Sequence, residues 1–233
     1  MTTDFPVFSP YMDNTSETVL EAQRRVFKYL DIPLRQVQIT DGEHGDWIDS
    51  HVRASDQDVV IICDIDAFPI TREAYEQSIH VAMERKIFGL AQVANHKNPE
   101  HIYAGPMFMS FAKKTYTALD QPCMKRTKNF DAAQELSFAA SKANVEIVLA
   151  YPNAVMQPKW PLADQTVFGI GTFYGGNAFF HLFQSRQLRN IALFEAVAED
   201  VVAGAGLKFE RYLNLLSDDP SPSGWKRILG LKK

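Results

Sequence analysis

The stretch VVIICDIDAFPIT, residues 59–71, constrains this chain more than any other. Its apolar run, stopped by Pro69, predicts a buried strand that ends on Asp64 and Asp66. Side chains at i and i+2 of a strand share a face, so the two carboxylates project together. Like charges that close raise each other's proton affinity, and something must offset that cost. A divalent cation, a catalytic acid pair or a solvated loop each does so. Asp56-Gln57-Asp58 has the same spacing but precedes the strand in a polar turn, where both acids read as solvated. Position at a strand end, rather than spacing, carries the signal.

The flanking sequence alternates strand-like and helix-like patterns. DFPVFSPYM reads as a strand running into a loop, and NTSETVLEAQRRVFKYL as a helix opened by capping residues. LRQVQIT reads as a strand ending in the turn DGEHG, and DWIDSHVRA as a short helix. TREAYEQSIHVAMERK predicts a helix capped by Thr71. IFGLAQVAN, GPMFMSFA and VEIVLAY read as further strands, and KTYTAL, DAAQELSFAASKAN and RQLRNIALFEAVAEDVVA as helices. NAFFHLF is strand-like or irregular. Such alternation predicts an α/β sandwich with a mainly parallel sheet. Ligands bind beyond the carboxyl ends of such strands, where Asp41, Asp64 and Asp66 are expected.

At 233 residues, 46% apolar and 22% charged, the chain has the composition of a soluble globular enzyme, and a net charge of −4 gives no reason to expect general nucleic-acid binding. MTTDFPVFSPYM lacks the pattern of a signal peptide, and no window reaches bilayer-spanning length. Cys63 and Cys123 form no CxxC pair or disulfide framework, so a reducing, cytoplasmic setting is expected. Residues 1–203 are expected to form the catalytic domain. Residues 204–233 are expected to form a C-terminal extension with a Pro/Ser/Gly hinge and a basic tail.

A phosphatase of the haloacid-dehalogenase type also uses an aspartate pair. It usually places the pair on its first strand, with a hydroxyl residue two positions after the second acid. Here two strands precede the pair and Phe68 holds that position. A metal-diphosphate site fits better, because magnesium and manganese take hard oxygen ligands from carboxylates and phosphates. A non-catalytic binding protein on the same fold is the other alternative.

The element order leading to ICDIDAFPIT, with the later FYGGNAFFHLFQSR, resembles glycosyltransferases of the A-type nucleotide-diphospho-sugar fold over roughly residues 5–190. The resemblance implies a three-layer α/β/α sandwich with a mainly parallel central sheet. It also implies transfer of a sugar from a UDP- or GDP-sugar to a hydroxyl acceptor such as a glycan, with Mn2+ or Mg2+ as cofactor. Members with a histidine like His181 often follow it with glycine and lysine, where this chain has LFQSR. Asp64 would contact the ribose, or the metal through water. Asp66 would be a direct metal ligand and His181 the second. Ser9, Pro10 and Tyr11 would cradle the base, Asp41 would lie near base or ribose, and Arg53 would reach base or diphosphate. Arg186 is placed to clamp phosphate in a bidentate way.

An inverting transferase needs a carboxylate to take the proton from the acceptor, and Asp131 matches the place where the fold often puts it. The other role for Asp131 is a helix N-cap. YGGN at 174–177 is either a turn or a close backbone approach to sugar, and His80 reads as structural. His44, His96 and His101 fall in predicted loops with no zinc-site spacing. The terminal GWKRILGLKK offers weak contact with an acidic membrane surface, packing on the core, or a flap over the diphosphate.

Overall fold

The computed structural model describes residues 4–217 of the chain. The basic tail and its expected membrane or flap role lie outside those residues. The chain runs β1 (Val7–Tyr11), α1 (Glu17–Tyr29), β2 (Leu34–Gln38), α2 (His44–Ala54), β3 (Val59–Cys63), β4 (Ala67–Pro69), α3 (Arg72–Met83) and β5 (Ile87–Ala94). It continues through β6 (Asn98–Ala112), α4 (Lys113–Ala118), α5 (Gln134–Lys142), β7 (Ile147–Ala150), β8 (Pro152–Leu162), β9 (Thr166–Tyr174), β10 (Phe179–His181), α6 (Leu188–Ala203) and α7 (Phe209–Leu216).

The main sheet has the order β2-β1-β3-β6-β5-β7, and β6 alone in it runs antiparallel to its neighbours. β3 is buried on both faces, which explains its unbroken apolar run. Val59, Ile61 and Cys63 face the core beneath α1, α3 and α6, while Val60 and Ile62 face the core beneath α2, α4 and α5. The fold is therefore a three-layer α/β/α sandwich with a mainly parallel central sheet. No helix among the described residues is long and apolar enough to cross a membrane.

A second, antiparallel sheet, β4-β10-β9-β8, stands at the carboxyl end of β3. β8 contains Pro152, Pro158 and Pro161, residues that argue against a central strand, and it lies at the sheet's edge, where a missing N–H costs least. β4 begins one turn after β3, so the Asp64–Asp66 segment is the corner where the chain leaves one sheet for the other.

Two register features shape that corner. Along the β5–β6 ladder Gly89 faces Met109 but Leu90 faces Gly105, so Pro106 to Phe108 bulge out of the pairing. The bulge presents the Met107 carbonyl, which accepts from the Asp64 N–H at 3.1 Å. In the β4–β10 ladder His181 sits opposite Ala67, and the Leu182 N–H donates to the Asp66 carbonyl at 2.9 Å.

Residues 204–217 do not stand apart from the rest. Tyr212, Leu213 and Leu216 of α7 are buried in the same core as α1 and α6, and Phe209 packs edge-on against Phe173 of β9. Asp200 of α6, 2% exposed, anchors α7 by accepting from Lys208 Nζ at 2.6 Å and Tyr212 Oη at 2.7 Å.

Candidate functional site

Asp64 and Asp66 flank the corner after β3, and β10 delivers His181 beside them. Ligand atoms of these three side chains all lie within 4.8 Å of one another. His181 is 4% exposed, with its Nε2 3.4 Å from Asp66 Oδ1. Its ring is held edge-on at 4.0 Å by Phe183, which in turn packs on Trp160 and Phe168 of the β8–β9 hairpin. Asp64 Oδ1 and His181 Nδ1 are buried with no hydrogen-bond partner among the described residues. Two carboxylates and an imidazole form the donor set that suits manganese or magnesium completed by phosphate oxygens. His181 Nδ1, buried without a hydrogen-bond partner among the described residues, is a group such an ion would satisfy, and Asp64 Oδ1, met by His44 Nε2 at 3.1 Å, is a second. The residues present fit a divalent cation.

Two cavities meet at this corner. The first, about 210 Å3, is lined by Pro10, Tyr11, Ser16, Ser185 and Arg186, together with His44, Asp64 and Asp66. The second, about 250 Å3, shares those same last three residues and adds Gln92, Tyr103, Asp131 and His181. Arg186 is exposed and makes no ion pair among the described residues.

His44 is one residue whose place at the site sequence reading missed. The turn-like DGEHG is in fact the start of α2: Glu43 is the N-cap, its N–H donates to Asp46 Oδ2 at 3.1 Å, and His44 is the first helical residue. The signal was the acid three residues after Glu43, a capping-box pattern hidden by two glycines. His44 Nε2 lies 3.1 Å from Asp64 Oδ1, an ion-pair contact that lacks hydrogen-bond alignment. Burial disfavours charge on both groups. Their mutual attraction outweighs it, holding the Asp64 carboxyl below the usual range and the His44 imidazole above its own.

The remaining expected site residues divide. Pro10, Tyr11 and Arg186 line the first cavity and Asp131 the second. Asp131 is not the N-cap of α5. That place belongs to Ala133 in a left-handed conformation (φ 62°), while Asp131 Oδ1 accepts from the Ala132 N–H and lies 3.6 Å from Arg126 Nε. Ser9 is buried within β1, and Asp41 is exposed beyond β2; neither lines either cavity. Arg53 is engaged elsewhere: it bonds Asp49 at 2.9 Å and the Gln121 carbonyl at 3.0 Å, tying the far end of α2 to the loop after α4. At nine residues from His44 it stands about 13 Å further along the helix axis. Tyr103 and Gln92 were not anticipated. Gln92 Oε1 is buried without a partner among the described residues, and Gly105 leaves room for it, since a Cβ there would sit 2.6 Å from that oxygen. Phe68 is fully buried against Phe180 and Phe194 and offers no group to the site.

No family model matches the chain, and no curated protein matches it. Solved structures do resemble it. Drosophila beta-1,4-galactosyltransferase 7, a mutant in complex with manganese, UDP-Gal and xylobiose, aligns with 76% of this chain and 69% of its own at 12% identity and a TM-score of 0.47. The 2-C-methyl-D-erythritol 4-phosphate cytidylyltransferase of Thermus thermophilus covers 84% of this chain and 100% of its own at 13% identity and 0.48. A Desulfovibrio desulfuricans protein provisionally named a nucleotide-diphospho-sugar transferase covers 63% and 79% at 8% identity and 0.44. The likeness is one of fold. At these values the function rests on the chain's own residues.

Proposed function

We propose that the protein is a metal-dependent glycosyltransferase that moves a sugar from a nucleotide-diphosphate donor to a hydroxyl acceptor. The observation that carries this reading is the meeting of two cavities at Asp64 and Asp66, with His181 beside them. A two-substrate transfer needs such an arrangement: one compartment for the donor, one for the acceptor, and acids where they join.

Asp64, Asp66 and His181 would hold Mn2+ or Mg2+. When bound, the ion neutralises charge developing on the departing diphosphate. Pro10 and Tyr11, at the end of β1, wall the donor compartment, and the Arg186 guanidinium reaches phosphate in a bidentate way. In the acceptor compartment Asp131 would take the proton of the hydroxyl as its oxygen bonds to the anomeric carbon opposite the breaking bond to the diphosphate, so that the configuration inverts. Tyr103 and Gln92 line that compartment, and Gln92 Oε1, without a partner among the described residues, orients the acceptor's ring.

Incubation with UDP- and GDP-sugars, manganese and a panel of hydroxyl acceptors, read by mass spectrometry, tests the reading. A glycosylated product and free nucleoside diphosphate are expected. Pyrophosphate release from a nucleoside triphosphate and a sugar phosphate, with no sugar transfer, would instead identify a nucleotidyltransferase.

A further inference from the structure

The corner that carries Asp64 and Asp66 is short and brings two like charges close to His181, so its shape needs support from beneath. On the α1 side that support is a buried amide, beside the Cys63 thiol, whose Sγ lies 3.4 Å from the Asp64 carbonyl and 3.3 Å from the Ala67 carbonyl. Gln23, in the middle of α1, is fully buried in an otherwise apolar helix face. Its Nε2 donates to the Asp64 carbonyl at 2.9 Å and to the Ala67 carbonyl at 2.9 Å, bracketing the whole corner. Its Oε1 accepts from Gln36 Nε2 at 2.9 Å, and Gln36 also donates to the Leu20 carbonyl. Arg24 Nε donates to Gln36 Oε1 at 2.7 Å. The two nearest partners of Nε2 are carbonyl oxygens, which only accept, with Cys63 Sγ further off at 3.8 Å, so the amide faces one way.

Burying a primary amide in a helix face costs stability unless every group is satisfied, and an apolar side chain would pack there without that requirement. The chain instead commits both N–H donors of this amide to the backbone of one turn. We propose that Gln23 is the positioning residue of the cation site. It fixes the Asp64–Ala67 backbone so that both carboxylates face His181, with Gln36 and Arg24 fixing Gln23 in turn. The inference rests on the cation reading of the site given above. Leu182, bonded to the Asp66 carbonyl, holds the same turn from the β10 side. The corner is thereby clamped between α1 and the second sheet before any ligand arrives. Partners that orient metal ligands in this indirect way are typically worth about ten- to hundredfold in metal affinity.

The test is Mn2+ titration followed by electron paramagnetic resonance, on wild type, Gln23→Leu and Gln36→Leu, with circular dichroism and Tm recorded for each. Gln23→Leu is expected to bind Mn2+ about ten- to hundredfold more weakly, with an altered bound-ion spectrum and native secondary structure. Gln36→Leu, at a half-buried position, keeps the amide but frees its orientation, and is expected to weaken binding several-fold. It decides the matter if Gln23→Leu does not fold. A merely structural role would lower Tm and leave affinity and spectrum as in wild type in the folded variants, which overturns the inference alone. Wild type that binds no Mn2+ overturns the cation reading itself, and this inference with it.

Discussion

His181 Nε2 lies 3.4 Å from Asp66 Oδ1 because the β4–β10 ladder sets His181 opposite Ala67, one residue beyond the acid. A strand pairing, rather than a loop, therefore fixes the distance between the two proposed direct ligands. Each clause of the proposed function can be tested by removing one contact at a time.

Asp131→Asn keeps the size of the side chain and its bond from the Ala132 N–H, and removes the proton acceptor. Its kcat is expected to fall by about a hundred- to ten-thousandfold. Nucleoside diphosphate affinity should stay as in wild type, since Asp131 does not line the donor cavity. Retained turnover would point to a retaining transferase with no such base.

Arg186→Ala removes from the proposed donor cavity a guanidinium that makes no ion pair among the described residues. A charge-assisted bond to phosphate contributes about 1.5–3 kcal/mol, so nucleoside diphosphate should bind roughly ten- to hundredfold more weakly by calorimetry. The corresponding nucleoside should lose little. Equal losses for both ligands would show that Arg186 serves the fold instead.

His51 stacks on Trp47 at 4.6 Å and meets Phe8 at 4.1 Å. Burial, helped by the Lys113 ammonium, pushes its imidazole down to about 4, whereas an unfolded histidine titrates near 6.5. Between those values the unfolded chain binds a proton that the native protein does not. Stability contributed by neutral His51 is therefore present above about pH 6.5 and lost as pH falls toward 4. His51→Phe retains the ring and abolishes the titration, so its Tm should fall less than that of wild type across this window. Parallel curves would contradict the assignment.

Asp200→Ala leaves Lys208, Arg211 and Tyr212 without their shared carboxylate. Lys208 and Arg211 are about half exposed and return to water, so the loss is that of the buried Tyr212 hydroxyl left unpaired, about 1–3 kcal/mol, and α7 should loosen first. Urea denaturation and proteolysis next to Phe209 would report it; an unchanged midpoint would mean that α7 is held by Tyr212, Leu213 and Leu216 alone.

Much of the architecture was legible because β3 and the amphipathic α1 and α3 carry strong local signals, down to the Thr71 cap. The second sheet was not. β4 and β10 span only three residues each, and β8 carries three prolines whose meaning depends on its edge position. The acids of the site could be read from their place after a buried strand. His44 could not, because DGEHG looks like a turn until α2 is seen to start inside it. Arg53 was expected to reach base or diphosphate, but it stands at the end of α2 away from His44, a matter of axial distance that residue type does not encode. Tyr103 and Gln92 become visible only once the bulge at Pro106–Phe108 opens the second cavity. Gln23 reads as a polar interruption on an apolar face, and only the folded corner shows what it holds.

The most direct test of the cation-diphosphate claim is calorimetric titration of UDP and GDP into wild type and Asp66→Ala, with and without manganese. At least one nucleotide should bind wild type about tenfold or more tightly with the ion, and Asp66→Ala should lose that gain. Affinity indifferent to manganese in both proteins would contradict the account.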